Sequence, residues 1–500
     1  MEIGIAEVLV GFGLLSLCAY YYLTLSFNFW KEKNVQGPTP SLFCGNFKDV
    51  ILGRINMCLA VKKYYDELKS EPIVGLFNFK NAPLVMVKDP DLIKDVMIKD
   101  FNVFCDRGMY VDEHDELTQH LINLPYEKWR PLRNNLSPVF TSGKLRDMFY
   151  LMAGCLDHFE KYLEQVAKTG EPTEFRDLTA KFTIDSIGAC AFGINTNALD
   201  EHSEFQKHGR DLFATNISNV VRHLLREIAP KFLSLLGPFK YTKAIRFVVS
   251  SMKETMDYRK QNSIRRNDFV DLLMDLQNDP EKVKNIEFTD LFLISQALVF
   301  FAAGFETSST TISNALYELA IQQDIQGKLR KEIRAEMEKD KGKVTYDNIK
   351  RMKYLDKVFK ETLRKYPPGS VLQRKAGDTY TFSGTNVTIP KDMKVLIPVW
   401  AIHRDPQIYP DPDKFDPERF DEEFEKSRHP MNYLPFGDGP HNCIGARFAN
   451  YQTKLGIIAV INKFKVDVCE KTCIPYVISA RSIVPTPVNG IYLNLSKISN

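Results

Sequence analysis

Two stretches stand out in the alternation of apolar and polar positions. Ile3 to Phe27 is apolar, interrupted by Glu7 and a few hydroxyls, and is long enough to cross a hydrocarbon core of ~30 Å. Tyr20, Tyr21, Tyr22 and Trp30 lie near its end, and Lys31 and Lys33 follow. No basic segment precedes it and no A-x-A cleavage site follows, so the pattern predicts a retained anchor over residues 1–30. By the positive-inside rule the two lysines leave the bulk of the chain in the cytosol. The second stretch, Leu291 to Phe305, is almost wholly apolar but holds Ser295 and Gln296 and is too short to span a bilayer. It predicts a helix through the middle of a globular core, beginning at Thr289-Asp290 and ending near Ala320.

The remaining pattern is mostly helical. Residues 31–40 carry the two lysines and Gly37-Pro-Thr-Pro40, a stiff joint between anchor and globule. Met57 to Leu68 reads as a helix, and Ile73–Phe77 and Leu84–Val87 read as short strands. Residues 106–126 show no clean period, as expected of a functional or mobile loop. A helix opens at Trp129-Arg-Pro-Leu-Arg133, with Pro131 in its first turn. Lys144 to Leu276 is helical, with breaks at Gly170-Glu-Pro172 and Gly237-Pro238. Within it, Phe182 to Gly193 predicts a core helix. The apolar clusters Leu224, Leu225, Ile228, Phe232, Leu235 and Phe239 suit either a lid resting on a membrane or ordinary helix faces. Val395–Val399 predicts a strand and Ser482–Val488 a terminal hairpin.

Composition narrows the classes. A net charge of +3 over 500 residues gives no electrostatic case for a nucleic-acid partner. Nine cysteines, at positions 18, 44, 58, 105, 155, 190, 443, 469 and 473, have no framework spacing and predict free thiols in a reducing compartment. No G-x-G-x-x-G loop opens a helix after a strand, so the chain has no dinucleotide fingerprint of its own.

The candidate chemistry centres on Phe436-Gly-Asp-Gly-Pro-His-Asn-Cys-Ile-Gly445. Gly437 and Gly439 permit backbone angles closed to other residues, and Pro440 stiffens the turn. Gly445 leaves room for something flat against the backbone. A helical pattern starts at Ala446, so Cys443 lies near a helix N-terminus, a setting that favours a thiolate. Such a thiolate serves as nucleophile, zinc ligand or haem ligand. His441 is too close in sequence to act as an independently oriented base. A zinc site drawn from His441, Cys443, Cys469 and Cys473 has an unusual H-x-C half-site.

The pattern Phe436-x-x-Gly439-x-His441-x-Cys443-x-Gly445 resembles the haem-binding signature of the cytochrome P-450 family, with His441 where the family usually has arginine. The resemblance implies Cys443 as axial thiolate ligand to haem iron. Other segments match in the family's order. Trp129 and Arg133 share a helix face, which suits a cation–π pair and resembles the family's haem-propionate contact. Arg374 resembles a second propionate contact. Ala303-Gly304-Phe-Glu306-Thr307 sets a glycine, a charge and a hydroxyl in an apolar core helix. That suits a kink with Thr307 bonded back to a carbonyl. It also resembles the family's oxygen groove, where small residues leave room for dioxygen and the acid–hydroxyl pair passes protons inward. Glu361-x-x-Arg364 is a weak motif alone; with Arg419 it resembles the family's buried network that fixes the cysteine loop.

The resemblance therefore implies a mainly α fold with minor β-sheets, the cytochrome P-450 fold, preceded by one transmembrane helix, with residues 41–500 as the catalytic domain. It implies haem b as cofactor and insertion of one oxygen atom from dioxygen into an apolar substrate. Electrons from NADPH would arrive through a membrane-bound flavoprotein reductase, with cytochrome b5 as a second partner. The acidic reductase would meet Lys128, Arg130 and Arg447. The location implied is the endoplasmic reticulum membrane. The wording of 303–311 and 436–445 is most similar to insect microsomal enzymes that oxidise plant toxins and insecticides. Competing readings are oxidation of an endogenous lipid or hormone, a reductase-independent haem-thiolate isomerase or dehydratase, and a non-enzymatic haem-binding protein.

Overall fold

A computed structural model describes residues 5–200, 202–213, 225, 241–266, 268–278 and 286–498. The apolar cluster residues Leu224, Ile228, Phe232, Leu235 and Phe239, and the break at Gly237-Pro238, lie outside these. The chain divides into two compact units. The first comprises Met1–Gly108, Ser370–Ile408 and His429–His441, and the second Met109–Gly369, Tyr409–Arg428 and Asn442–Asn500.

The first unit begins with the helix Ile5–Thr24, whose described apolar side chains are largely exposed. The helical span over Leu9–Glu32 is long and apolar enough to cross a bilayer, and its most apolar window is not buried. Trp30 departs from the sequence expectation. It belongs to the globule rather than to the anchor: its indole is 3% exposed and donates to the Leu76 carbonyl at 2.9 Å. A Cβ on Gly75 would stand 2.4 Å from that ring, so the indole occupies the place of a missing side chain. The strand order of the main sheet is Ile73–Phe77, Pro83–Val87, Lys394–Ile397, Leu372–Lys375. The outer pairs are antiparallel and the central pair parallel. Ile73–Phe77 and Pro83–Val87 are buried almost throughout and rich in Val, Ile and Leu, as expected of strands covered on both faces, whereas Leu372–Lys375 at the edge is polar and mostly half-buried.

The second unit is built on the helix Asp290–Ile321, within about a residue of its sequence-predicted bounds. The Thr289 hydroxyl caps it by accepting from the Phe292 N–H, satisfying one orphan donor. This core helix packs against Phe175–Ile187 and against Ala446–Lys463. The long helix Ser142–Thr169 ends at Gly170, whose φ of 66° supplies the left-handed cap,. The predicted Phe182–Gly193 helix is the second half of Phe175–Ile187 followed by a wide turn at Gly188–Phe192. The strands Phe464–Val468 and Tyr492–Lys497 pair antiparallel, and Thr173–Glu174 joins the latter.

Candidate functional site

The cysteine segment is shaped by its glycines. Gly437 and Gly439 have φ of 66° and 67°. A Cβ on Gly439 would lie 2.1 Å from the Met97 carbonyl oxygen, so only glycine satisfies both backbone and space. Phe436 is half-buried at the head of this turn. Past it, Gly445 caps the helix Ala446–Lys463, and the Ala446 N–H reaches back to the Cys443 carbonyl at 3.5 Å. The Cys443 side chain is exposed, and a Cβ on Gly445 would meet nothing within 4 Å. A sulfur before a helix N-terminus with clear space beside it suits a thiolate ligand. Among the described residues no three His, Cys, Asp or Glu side chains gather as a metal site, which leaves the zinc alternative without a ligand set.

Trp129 and Arg133 lie in the second unit with Cys443. Their helix runs Tyr126–Leu136, so Pro131 sits inside it rather than in its first turn. The reason is that Pro125 is extended and accepts from the Trp129 N–H at 2.8 Å, starting the helix a turn earlier. Pro131 has no N–H to return to the Glu127 carbonyl. Trp129 is fully buried and stacks on Tyr126. Arg133 donates to the Asn442 Oδ1 at 2.8 Å. Burial lowers its pKa while the charge on Cys443 raises it. Arg133 thus sits within electrostatic reach of the cysteine.

Arg374 and His441 lie in the first unit. Arg374 stands opposite Val395 in the sheet and is 3% exposed. One guanidinium nitrogen donates to the Gln373 carbonyl at 2.9 Å, and Nε has no partner. Burial alone brings its pKa down to about 10. A buried cation without a counter-charge is unfavourable, so this residue fits an anionic group carried in by a ligand. The His441 ring meets the Cys105 carbonyl through Nε2 at 2.6 Å and packs edge-on to Phe101. A carbonyl only accepts, so Nε2 carries the proton.

The expected groove residues divide between faces of the core helix. Ala303 is exposed on an otherwise mostly buried helix. The Thr307 hydroxyl donates to the Ala303 carbonyl at 2.7 Å, the back-bond that the sequence left open. Gly304 faces the Phe175–Ile187 helix, where a Cβ would come within 2.8 Å of the Ile187 Cδ1. Its smallness therefore serves helix packing. Glu306 is buried and paired with Arg176. Both line a cavity of about 350 Å³ with Glu174, Arg210, Phe213, Phe305 and residues of 479–488. Arg176 went unmarked in the sequence because it stands in no motif; only the need of a buried carboxylate for a cation could have suggested it.

The Glu361 network is present. Arg364 donates to both Glu361 oxygens at 2.7 and 2.8 Å, with both side chains fully buried. The Asp416 N–H donates to Glu361 at 2.9 Å, and the Arg419 Nε lies 3.6 Å away. The network ties residues 414–419 to the helix Lys353–Lys365.

A family model described as Cytochrome P450 matches residues 35–494. The chain belongs to the cytochrome P450 family. Over 492 residues it is 40% identical to "Probable cytochrome P450 6a14" of Drosophila melanogaster, covering 94% of this chain and 96% of that one. It is 39% identical to "Cytochrome P450 6A1" of Musca domestica, with 98% of each chain covered. It is 38% identical to "Cytochrome P450 6B1" of Papilio polyxenes over 95% of this chain and 96% of that one. The protein is thus a P450 monooxygenase of the insect branch, an oxidoreductase whose cofactor is haem iron.

Proposed function

We propose that this monooxygenase oxidises apolar foreign compounds such as plant toxins. In this reading it is anchored in the endoplasmic reticulum membrane by Ile5–Thr24, with its catalytic part in the cytosol, and takes electrons from an NADPH-dependent flavoprotein reductase. Cys443 would supply the thiolate that holds the haem iron. Trp129, Arg133 and Arg374 would hold the propionates, and Phe436 and Gly439 would shape the ligand loop. The haem, when bound, supplies dioxygen activation promoted by its thiolate ligand. The observation that carries the reading is the exposed Cys443 sulfur within electrostatic reach of Arg133.

The chain's own residues would manage protons and substrate. Glu306, paired with Arg176 at the polar cavity, would take protons from solvent. Thr307 Oγ1, whose proton goes to the Ala303 carbonyl, would accept a hydrogen bond from a water beside the exposed Ala303. Positioned proton transfer of this kind is worth ~10²–10⁴-fold in rate. Phe213, Phe305, Ile483 and Val484 give the same cavity apolar walls, which suits hydrophobic substrates. Arg130 and Arg447 are exposed and Lys128 half-buried, available to an acidic reductase surface.

The test is turnover of lipophilic plant compounds by the purified full chain with reductase and NADPH under ¹⁸O-labelled dioxygen. One labelled oxygen per product is expected. NADPH use no faster than that of reductase alone, or product formed without NADPH, would contradict it.

A further inference from the structure

Two polar residues interrupt the apolar first half of the core helix, and the proton path does not use them. Ser295 and Gln296 are fully buried, in a helix that leucine or methionine would continue without a desolvation cost. The Gln296 carboxamide is bonded to another segment. Its Oε1 accepts from the Leu121 N–H at 2.8 Å, and its Nε2 donates to the Gln119 carbonyl at 2.9 Å. One side chain thus pairs with two backbone groups of a single loop. The Leu121 amide can only donate, so the carboxamide oxygen must face it. Ser295 adds a longer bond to the Gln119 carbonyl at 3.3 Å. Two turns upstream, the Thr289 hydroxyl is bonded to the Glu116 carboxylate. The core helix therefore holds residues 112–124 at two separate points.

The place of Gln296 on the helix decides what the loop borders. Gln296, Ala303 and Thr307 are spaced by seven and four residues and fall on one stripe. Along that face burial falls away: Gln296 is fully buried, Val299 and Phe300 are half-buried, and Ala303 is exposed. Seven residues of helix rise about 10 Å, so the pinned loop ends where the open stretch toward Ala303 begins. Past Pro125 the loop becomes the helix Tyr126–Leu136, whose Arg133 bonds Asn442 next to Cys443. Loop, stripe and Cys443 all belong to one compact unit.

We propose that Gln296 is a positioning residue that latches residues 112–124 as a fixed wall of the space beside Ala303. The latch sets how fast bulky apolar ligands enter and leave that space. A wall excludes by size, so a small ion passes it unhindered. The proposal rests on the haem reading above for where an entering ligand is bound; the latch itself rests only on the two carboxamide bonds.

The experiment compares purified full-length holoprotein, parent and Gln296→Met, a substitution that keeps an unbranched side chain of similar volume and removes both bonds. Amide hydrogen exchange, read by mass spectrometry, should quicken roughly tenfold or more in peptides covering 115–124, the effect of one or two lost hydrogen bonds. The helix Ala446–Lys463 should exchange as in the parent. Stopped-flow binding of phenylimidazole, whose ring nitrogen ligates haem iron, should show association and dissociation both several-fold faster. Cyanide should bind at the parental rate. Parental exchange over 115–124 overturns the latch. Faster exchange with parental phenylimidazole rates overturns the wall, since the loop then moves without altering entry. Equal acceleration of phenylimidazole and cyanide overturns it as well, because a size-selective wall is then absent. Should Gln296→Met fail to fold, Glu116→Ala removes the Thr289 bond from the loop side. It should quicken the same peptides and the same ligand, and parental values of both overturn the proposal. A parent without a haem absorption band would instead defeat the haem reading, while the exchange comparison still decides the latch.

Discussion

Glu361→Ala is the most demanding structural test. The substitution removes a fully buried carboxylate that accepts two guanidinium hydrogen bonds from Arg364, at 2.7 and 2.8 Å, and one from the Asp416 N–H at 2.9 Å. Arg419, 3.6 Å away, loses its nearby charge as well. The Arg364 cation then stays in the interior without its carboxylate. Breaking a buried pair from one side costs about 3–5 kcal/mol, and the amide of Asp416 adds to that. Such a loss is a large part of a total stability of ~5–15 kcal/mol. Denaturant unfolding of the purified chain, followed by circular dichroism, should show the lowered midpoint. The pair Glu361→Leu with Arg364→Met should recover more than half of it, because removing both charges also removes the desolvation penalty. A loss below about 1 kcal/mol for Glu361→Ala, far under the buried-pair range, would refute the reasoning. So would a double variant weaker than either single change.

Two further outcomes follow from the site. Thr307→Ala and Glu306→Gln should leave haem content and NADPH use largely intact while lowering product formed per NADPH and raising hydrogen peroxide. Unchanged coupling in both would leave Thr307 only its back-bond to Ala303. Gly439→Ala forces a side chain into a left-handed backbone, costing ~1–2 kcal/mol, and onto the Met97 carbonyl. Its purified protein should carry much less haem and unfold at lower temperature than the parent, and normal values of both would contradict the fit described for that turn.

The sequence was most legible where chemistry is local. The core helix announced itself through its apolar run and its start at Thr289-Asp290, and the cysteine turn through closely spaced glycines that its φ angles require. Glu361 and Arg364 are one turn apart, so their pairing needed no knowledge of the fold. What escaped depends on distant segments. Trp30 read as part of a membrane anchor because its burial comes from Gly75, far along the chain. Gly304 read as space for dioxygen, although the residue it makes room for is Ile187. Glu306 found its cation, Arg176, on another helix at a position without any motif. His441 could be recognised as a departure, but only the Cys105 carbonyl revealed which way its ring is turned.

The central claim is thiolate ligation of haem by Cys443. Its most direct measurement is the absorption spectrum of the reduced, CO-bound protein, compared between the parent and Cys443→His. The parent should show the long-wavelength band of thiolate-ligated haem. The variant should show the shorter-wavelength band of nitrogen ligation in whatever fraction takes up haem, and no oxygen insertion. A parent without the long-wavelength band, or a variant that keeps it and turns over at the parental rate, would contradict the account.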